Sequence, residues 1–247
     1  MKYLLILPRV ICKLWFILNF VITLIVLYPV FFILLSRIRW FPKAFSLMRA
    51  WAKWLCYVSG ILPVVTTEVD WSEIPSPCIF VSNHSSYLDI LLSYVSIPRY
   101  FVFVGKQELN KVPLLRIFFM RMNILVDRKS TVNAHKAFKQ AGERIDRGES
   151  VFLFPEGTIS SNGELIAFKK GAFKLAIEKQ VPIVPLVFPD NWKLLQSGGF
   201  FSANGRPGIA RAIIKKSVKT TRMSDLDLLR LLSEVKSSIQ ETLFASK

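Results

Sequence analysis

The chain opens on one long apolar stretch and then changes to short apolar runs divided by polar turns. Residues 14–36 are twenty-three positions without a charge, bounded by Lys13 and Arg37. At about 1.5 Å per residue, a helix of that length reaches roughly 34 Å, enough to cross a hydrocarbon core. Asn19, Thr23 and Pro29 interrupt the run, and Pro29 can kink it. It is too long for the apolar part of a secretory signal, and no small-residue cleavage site follows. The stretch reads as a membrane segment, either spanning or re-entrant. Residues 39–55 then mix Trp40, Trp51 and Trp54 with Arg39, Lys43 and Lys53. Tryptophan favours the membrane interface and long basic side chains reach head groups from there, so an interfacial helix is expected. An amphipathic helix packed on the following domain is the other reading.

Beyond this segment the apolar runs are short. Residues 79–82, 101–104, 124–126, 151–154, 183–188 and 209–214 predict strands, several of them continuously apolar as strands covered on both faces are. Ala134, Ala137, Phe138, Ala141 and Ile145 recur at helical spacing, with Gly148 placed to end the helix. Further helices are expected over 172–179 and 224–244, the latter opening on Ser224-Asp225-Leu226-Asp227. Residues 191–208, with Trp192, Gly198, Gly199, Asn204, Gly205 and Pro207, read as a loop. Strands alternating with helices predict an α/β fold, a largely parallel sheet flanked by helices, preceded by the N-terminal membrane-associated segment. The division is 1–62 for the membrane-associated part and 63–247 for the α/β domain.

Composition narrows the class. The chain of 247 residues is 52% hydrophobic with a formal charge of +16. That charge suits anionic surfaces, either lipid head groups or nucleic acid. The basic residues between Arg99 and Lys129 form no single tract, and no zinc-finger or RNA-recognition motif occurs, so nucleic acid is not an expected partner. Cys12, Cys56 and Cys78 have no C-x-x-C spacing and cannot all pair, which argues against a zinc site and fits a reducing compartment. No metal is expected. Basic residues flank the apolar segment on both sides, with more following it, which places the α/β domain on the cytoplasmic face.

Two turns carry candidate chemistry. His84 and Asp89 lie five residues apart in Asn83-His84-Ser85-Ser86-Tyr87-Leu88-Asp89, just after the run 78–81. Histidine is the usual general base near neutral pH, and a carboxylate can fix its tautomer and stabilise the imidazolium. Within one regular helix the two side chains would stand about 140° apart and not meet. They meet if His84 lies on the turn and Asp89 on the first turn of a following helix, capped by Ser82, Asn83 or Ser85. No serine or cysteine is clearly paired with the histidine as a nucleophile. A base that activates the hydroxyl of a second substrate is the simpler mechanism. The second turn, Phe154-Pro155-Glu156-Gly157-Thr158, follows the run 151–154. Such turns can converge at the edge of a sheet where open α/β folds hold ligands.

The block 83–89 resembles the first motif of the glycerolipid acyltransferase family, of which bacterial lysophosphatidic acid acyltransferases are typical. Gly105-Lys106-Gln107-Glu108-Leu109, Pro113 and Val126-Asp127-Arg128 resemble its second motif. Phe154-Pro155-Glu156-Gly157-Thr158 is similar to the third, trailed by Phe168-Lys169-Lys170-Gly171-Ala172, and Val181-Pro182-Ile183-Val184-Pro185-Leu186 is similar to the fourth. The resemblance covers roughly residues 77–187, with the motifs in order. It implies transfer of a fatty acyl group from a thioester, on coenzyme A or acyl carrier protein as co-substrate, to a lysophospholipid hydroxyl. No bound cofactor and no acyl-enzyme are implied. His84 would take the hydroxyl proton with Asp89 supporting it. Asn83, Lys106, Arg128, Glu156, Gly157, Thr158 and Lys169 would form the acceptor site, with Lys106 facing the phosphate. Membrane lipids, the lysophospholipid acceptor and acyl carrier protein are the implied partners.

Two departures bear on the acceptor. Ile159 stands where the third motif commonly carries a phosphate-binding arginine, and residues 114–126 contain no glycine. Isoleucine cannot give a bidentate grip on phosphate. Either Lys106, Arg128, Lys169 or Lys170 does that work, or the acceptor is another lysolipid, such as a lyso amino-acid lipid. The apolar segment 114–120 fits either the acyl-chain path or core packing. A catalytically inert membrane adaptor is the non-enzyme alternative, against which the intact His84 and Asp89 count.

Overall fold

The computed structural model describes residues 6–127, 130–199, 201 and 203–246. Helix α1, Ile6–Leu34, carries the apolar segment, and a short 3-10 turn leads into α2, Phe41–Val58. The strands are β1 Ile61–Thr67, β2 Ile79–Ser82, β3 Phe101–Lys106, β4 Ile124–Val126, β5 Ser150–Leu153, β6 Ile183–Val187 and β7 Gly208–Ile214. The remaining helices are α3 Leu88–Ser96, α4 Pro113–Arg121, α5 Thr131–Asp146, α6 Gly171–Lys179, α7 Asn191–Leu194 and α8 Leu228–Ala245. The strands form one sheet in the order β1-β7-β6-β2-β5-β3-β4. Every neighbouring pair is parallel except β6 with β7.

Register explains why the strands read as unbroken apolar runs. Ile79 pairs with Val151 and Ile183, and Phe80 with Phe152 and Val184. Because side chains alternate across a strand, Phe80, Phe101, Phe103, Phe152, Val184 and Leu186 fall on one face. Ile79, Val81, Val102, Val151, Ile183 and Val187 fall on the other. The first face packs under α1 to α4, the second under α5, α6 and α8. Both faces are covered, as a largely parallel sheet flanked by helices requires.

Strand β1 escaped the sequence reading. Its pattern is mostly exposed, and Leu62, Val64 and Val65 remain open to solvent as expected of an edge strand parallel to β7. The proposed division at 62/63 falls inside β1. Helix α2 packs one face on the domain: Phe41, Ala44, Phe45, Met48, Ala52, Leu55 and Cys56 are buried, an apolar stripe at helical spacing. Its opposite side carries Lys43, Lys53, Trp54 and Tyr57, all exposed. Helix α4 buries Phe118 and exposes Met120.

Helix α1 is long and apolar enough to cross a membrane. One side of it packs on the protein: Phe20 stacks on Trp51, Phe31 meets Phe118 edge-on, and Trp51 Nε1 donates to Thr23 Oγ1 at 2.8 Å. Trp15 Nε1 donates to the Val58 carbonyl at 2.7 Å. The other side exposes Leu7, Ile11, Leu14, Leu18, Ile22, Ile25, Val26 and Ile33. A water-facing helix of this length would not present so continuous an apolar surface.

Candidate active site

Parallel strands bring their carboxyl ends to one edge, so the segments after β2, β5, β3 and β6 meet there. His84 lies on the turn between β2 and α3, and Asp89 on the first turn of α3. Their rings and oxygens meet: His84 Nδ1 is 2.8 Å from Asp89 Oδ2. An ionised carboxylate only accepts, so the proton of a neutral imidazole sits on Nδ1 and the lone pair on Nε2. That is the tautomer a general base needs.

The aspartate is fully buried and satisfied. Its Oδ2 also accepts the backbone N–H of Ser85 at 2.7 Å and of Ser86 at 2.9 Å, and its Oδ1 accepts from Asn191 Nδ2 at 2.7 Å. Asp89 thereby organises the turn that carries His84. Ser86 Oγ accepts from Leu88 N at 3.0 Å and donates to the Leu195 carbonyl. At the start of α3 the N–H of Leu88 is thus met by Ser86, where the sequence suggested a cap from Ser82, Asn83 or Ser85. The Asn83 amide instead pairs with the backbone of Phe188, donating to its carbonyl at 3.0 Å and accepting its N–H at 2.9 Å. Asn83 ties the end of β2 to the segment after β6.

The second turn holds the first. Glu156 is 3% exposed and accepts His84 N–H through Oε1 at 2.6 Å and Ile166 N–H through Oε2 at 3.2 Å. Ser160 N donates to the His84 carbonyl at 2.8 Å. Both backbone groups of His84 are thus fixed from the loop after β5. Its ring stacks on Phe154, with centroids 3.9 Å apart and planes 13° from parallel. Burial raises the Glu156 carboxyl from its ordinary 4.5 to about 7, against the pull of the two N–H donors and with the nearby Asp89 charge adding to the rise.

Gly157 adopts φ +72°, and a Cβ there would stand 2.7 Å from Lys169 Cε, so the glycine lets the lysine side chain lie across the turn. Thr158 and Lys169 are exposed beside it, and Lys169 N donates to the Pro155 carbonyl at 2.8 Å. Lys106 ends β3 at the same sheet edge and is exposed. Ile159 is half-buried. Arg128 lies outside the described residues. Among the described residues no cluster of metal-ligating side chains occurs, and His135 is exposed on α5.

Sequence reasoning missed Asn191. It sits in the stretch read as loop, on the short helix α7, fully buried and bonded to Asp89. The available signal was its position just past β6, at the edge where His84 lies.

A family model described as acyltransferase matches residues 66–189. The chloroplastic 1-acyl-sn-glycerol-3-phosphate acyltransferase BAT2 of Brassica napus is 33% identical, over 74% of this chain and 53% of its own. The human 1-acyl-sn-glycerol-3-phosphate acyltransferase beta is 40% identical, over 62% of this chain and 52% of its own. A bacterial 1-acyl-sn-glycerol-3-phosphate acyltransferase from Haemophilus influenzae is 34% identical, over 59% and 61% respectively. The chain spans about half the length of the first two. Among solved structures, that of the 1-acyl-sn-glycerophosphate (LPA) acyltransferase PlsC from Thermotoga maritima superposes with a TM-score of 0.80, over 97% of this chain and 96% of that one. At 21% identity this is a likeness of fold.

Proposed function

The chain belongs to the acyltransferase family, and on that premise we propose that it acylates the free hydroxyl of lysophosphatidic acid, giving phosphatidic acid for phospholipid biosynthesis. The observation that carries this reading is the buried His84–Asp89 pair, 2.8 Å apart and clamped from the loop after β5. Nδ1 is taken by Asp89, so Nε2 receives the acceptor's hydroxyl proton as the oxygen attacks the thioester carbonyl. The imidazolium that forms lies against the Asp89 carboxylate. As the tetrahedral adduct collapses, the same proton goes to the leaving thiolate. The acyl group passes directly between substrates, and no side chain carries it.

Lys106, Arg128, Thr158 and Lys169 are the proposed contacts for the acceptor's phosphate and glycerol, with Gly157 leaving room for Lys169. Glu156 and Asn83 act beneath them by fixing the turn. Exposed lysines at the sheet edge give charge without a bidentate grip, which compensates for Ile159 at the position where an arginine would be expected. Helix α1 would enter the membrane together with α2 as a hairpin, because it stays packed on α2 and α4 from Trp15 to Phe31. The α/β domain then lies on the cytoplasmic surface, where acyl-coenzyme A and acyl carrier protein are both available.

The same chemistry on a phosphate-free lysolipid is the second reading, favoured by Ile159. The test is acyl transfer by the purified full chain in mixed micelles, pairing each acyl donor with lysophosphatidic acid and with a phosphate-free lysolipid. Conversion of lysophosphatidic acid is the expected result. Conversion of the phosphate-free acceptor alone would replace this reading with the second.

A further inference from the structure

A second cationic feature lies away from Lys106 and Lys169, where the N-terminal end of α1 meets the segment between β6 and β7. Arg9, Lys193, Asn204, Gly205 and Arg206 line an open pocket of about 220 Å³. Three elements converge there. Arg9 comes from the first turns of α1, Lys193 from α7, and Arg206 from the approach to β7. No acidic side chain lines the pocket, and among the described residues none of its three cations is in an ion pair. The nearest carboxylate in sequence, Asp190, is hydrogen-bonded by Arg211 at 2.7 and 2.8 Å and feels the Lys193 charge only through space.

The pocket is held in shape by main-chain bonds. Arg206 N donates to the Leu194 carbonyl at 2.9 Å, and Gln196 N to the Asn204 carbonyl at 2.9 Å. Gly205 lies so close to α1 that a Cβ would stand 2.8 Å from the Arg9 carbonyl oxygen and 2.7 Å from Lys13 Cγ. Three like charges gathered on ordered backbone repel one another unless an anion joins them. The volume is below the roughly 300–1,000 Å³ of pockets that enclose a drug-sized ligand, so the pocket holds a phosphate-sized group with the rest of its ligand outside. The apolar outer face of α1 begins beside it, with Leu7, Ile11 and Leu14 exposed. A ligand with phosphate in the pocket and hydrocarbon along α1 satisfies both surfaces.

We propose that the Arg9–Lys193–Arg206 pocket binds the phosphate of an anionic bilayer phospholipid, holding the segment that carries Asn191 at the membrane surface. The proposal rests on the membrane reading of α1 and is independent of which acceptor is acylated. Lipid binding separates the two: the probe is dioctanoylphosphatidylglycerol, a phosphodiester with no role as acceptor or product in the proposed reaction. It is titrated into the full chain in non-ionic detergent and followed by native mass spectrometry. One lipid is expected to be retained, and the Lys193→Gln/Arg206→Gln variant should bind it about tenfold or more weakly, a loss of roughly 1.4 kcal/mol or more. Arg9→Gln, on a different element, should weaken it in the same direction. Lys136→Gln/Lys139→Gln, which removes the same charge from the exposed face of α5, should bind as the parent does. Equal weakening by the α5 variant would overturn the proposal in favour of general attraction to a basic protein. Inorganic phosphate binding as tightly as the lipid would overturn the lipid assignment, leaving a free-anion site. His84→Ala should retain lipid binding, so failure of the acyl-transfer reading and failure of this one give different results.

Discussion

The turn after β2 and the end of β3 lie on the same edge of one sheet and are built on opposite principles. His84 and Asp89 are buried, and nearly every polar group around them has a fixed partner: Glu156 and Ser160 on the His84 backbone, Ser85, Ser86 and Asn191 on Asp89. Lys106, like Lys169 across the edge, is exposed. Under the proposed function, the difference separates two tasks. Proton transfer needs a base held within a few tenths of an ångström, so its supports are buried and made redundant. Attraction of an anionic head group needs charge in roughly the right place, which exposed lysines supply and which tolerates an isoleucine nearby.

That contrast is open to direct attack, beginning with the largest effect. Replacing His84 by Ala should lower acyl transfer by about 10²–10⁴-fold, the usual worth of a positioned general base, with melting temperature nearly unchanged. Turnover by the variant within a few fold of the parent would remove the base from the account. Glu156→Gln should be felt first in stability. A glutamine has one acceptor oxygen where Glu156 uses two, so one of the His84 and Ile166 N–H groups loses its partner, at about 1–3 kcal/mol. It also removes a titration. The folded Glu156 value of about 7 lies above the ordinary 4.5, so the native state holds its proton more tightly than the unfolded chain. Its stabilising contribution is full below about 4.5 and is lost as pH rises to about 7. Thermal melts across that window should show the parent losing stability relative to Glu156→Gln. Parallel curves would show that this carboxyl does not titrate there.

Smaller changes sharpen the comparison. Asn191→Ala removes one donor to the Asp89 carboxylate and should cost roughly tenfold in turnover, in line with about 1.5 kcal/mol for a hydrogen bond to a charged group. Acceptor affinity should stay as it was. Lys106→Ala should weaken phosphate-bearing acceptors by a similar or smaller factor and leave phosphate-free ones alone, which parallel assays on the two acceptors would reveal. Equal loss on both would make Lys106 a structural lysine.

Much of this was readable from the chain, for definable reasons. Among the described residues, six of the seven strands announced themselves, the central ones because both faces of the sheet are covered, which makes 79–81 and 183–187 continuously apolar. β1 was silent because it is an exposed edge paired only with β7. The five-residue spacing of His84 and Asp89 indicated a turn running into a helix, and the structure has that arrangement. What the spacing could not reveal was the support around the pair. The Glu156–His84 bond joins residues 72 positions apart, and Asn191–Asp89 joins residues 102 apart. Contacts of that range depend on strand order, which no local pattern encodes. Helix α2 shows the reverse case: its buried stripe at 41, 44, 45, 48, 52, 55 and 56 is periodic in the sequence itself.

The central claim is the division between a buried site that performs the proton transfer and an exposed one that recognises the acceptor. Steady-state acyl transfer to lysophosphatidic acid by Asp89→Asn and by Lys106→Ala, measured side by side, tests it most directly. The account predicts that Asp89→Asn lowers kcat with little change in KM, and that Lys106→Ala raises KM with kcat nearly intact. The same pattern in both variants would contradict it, because one undivided site would then be serving both tasks.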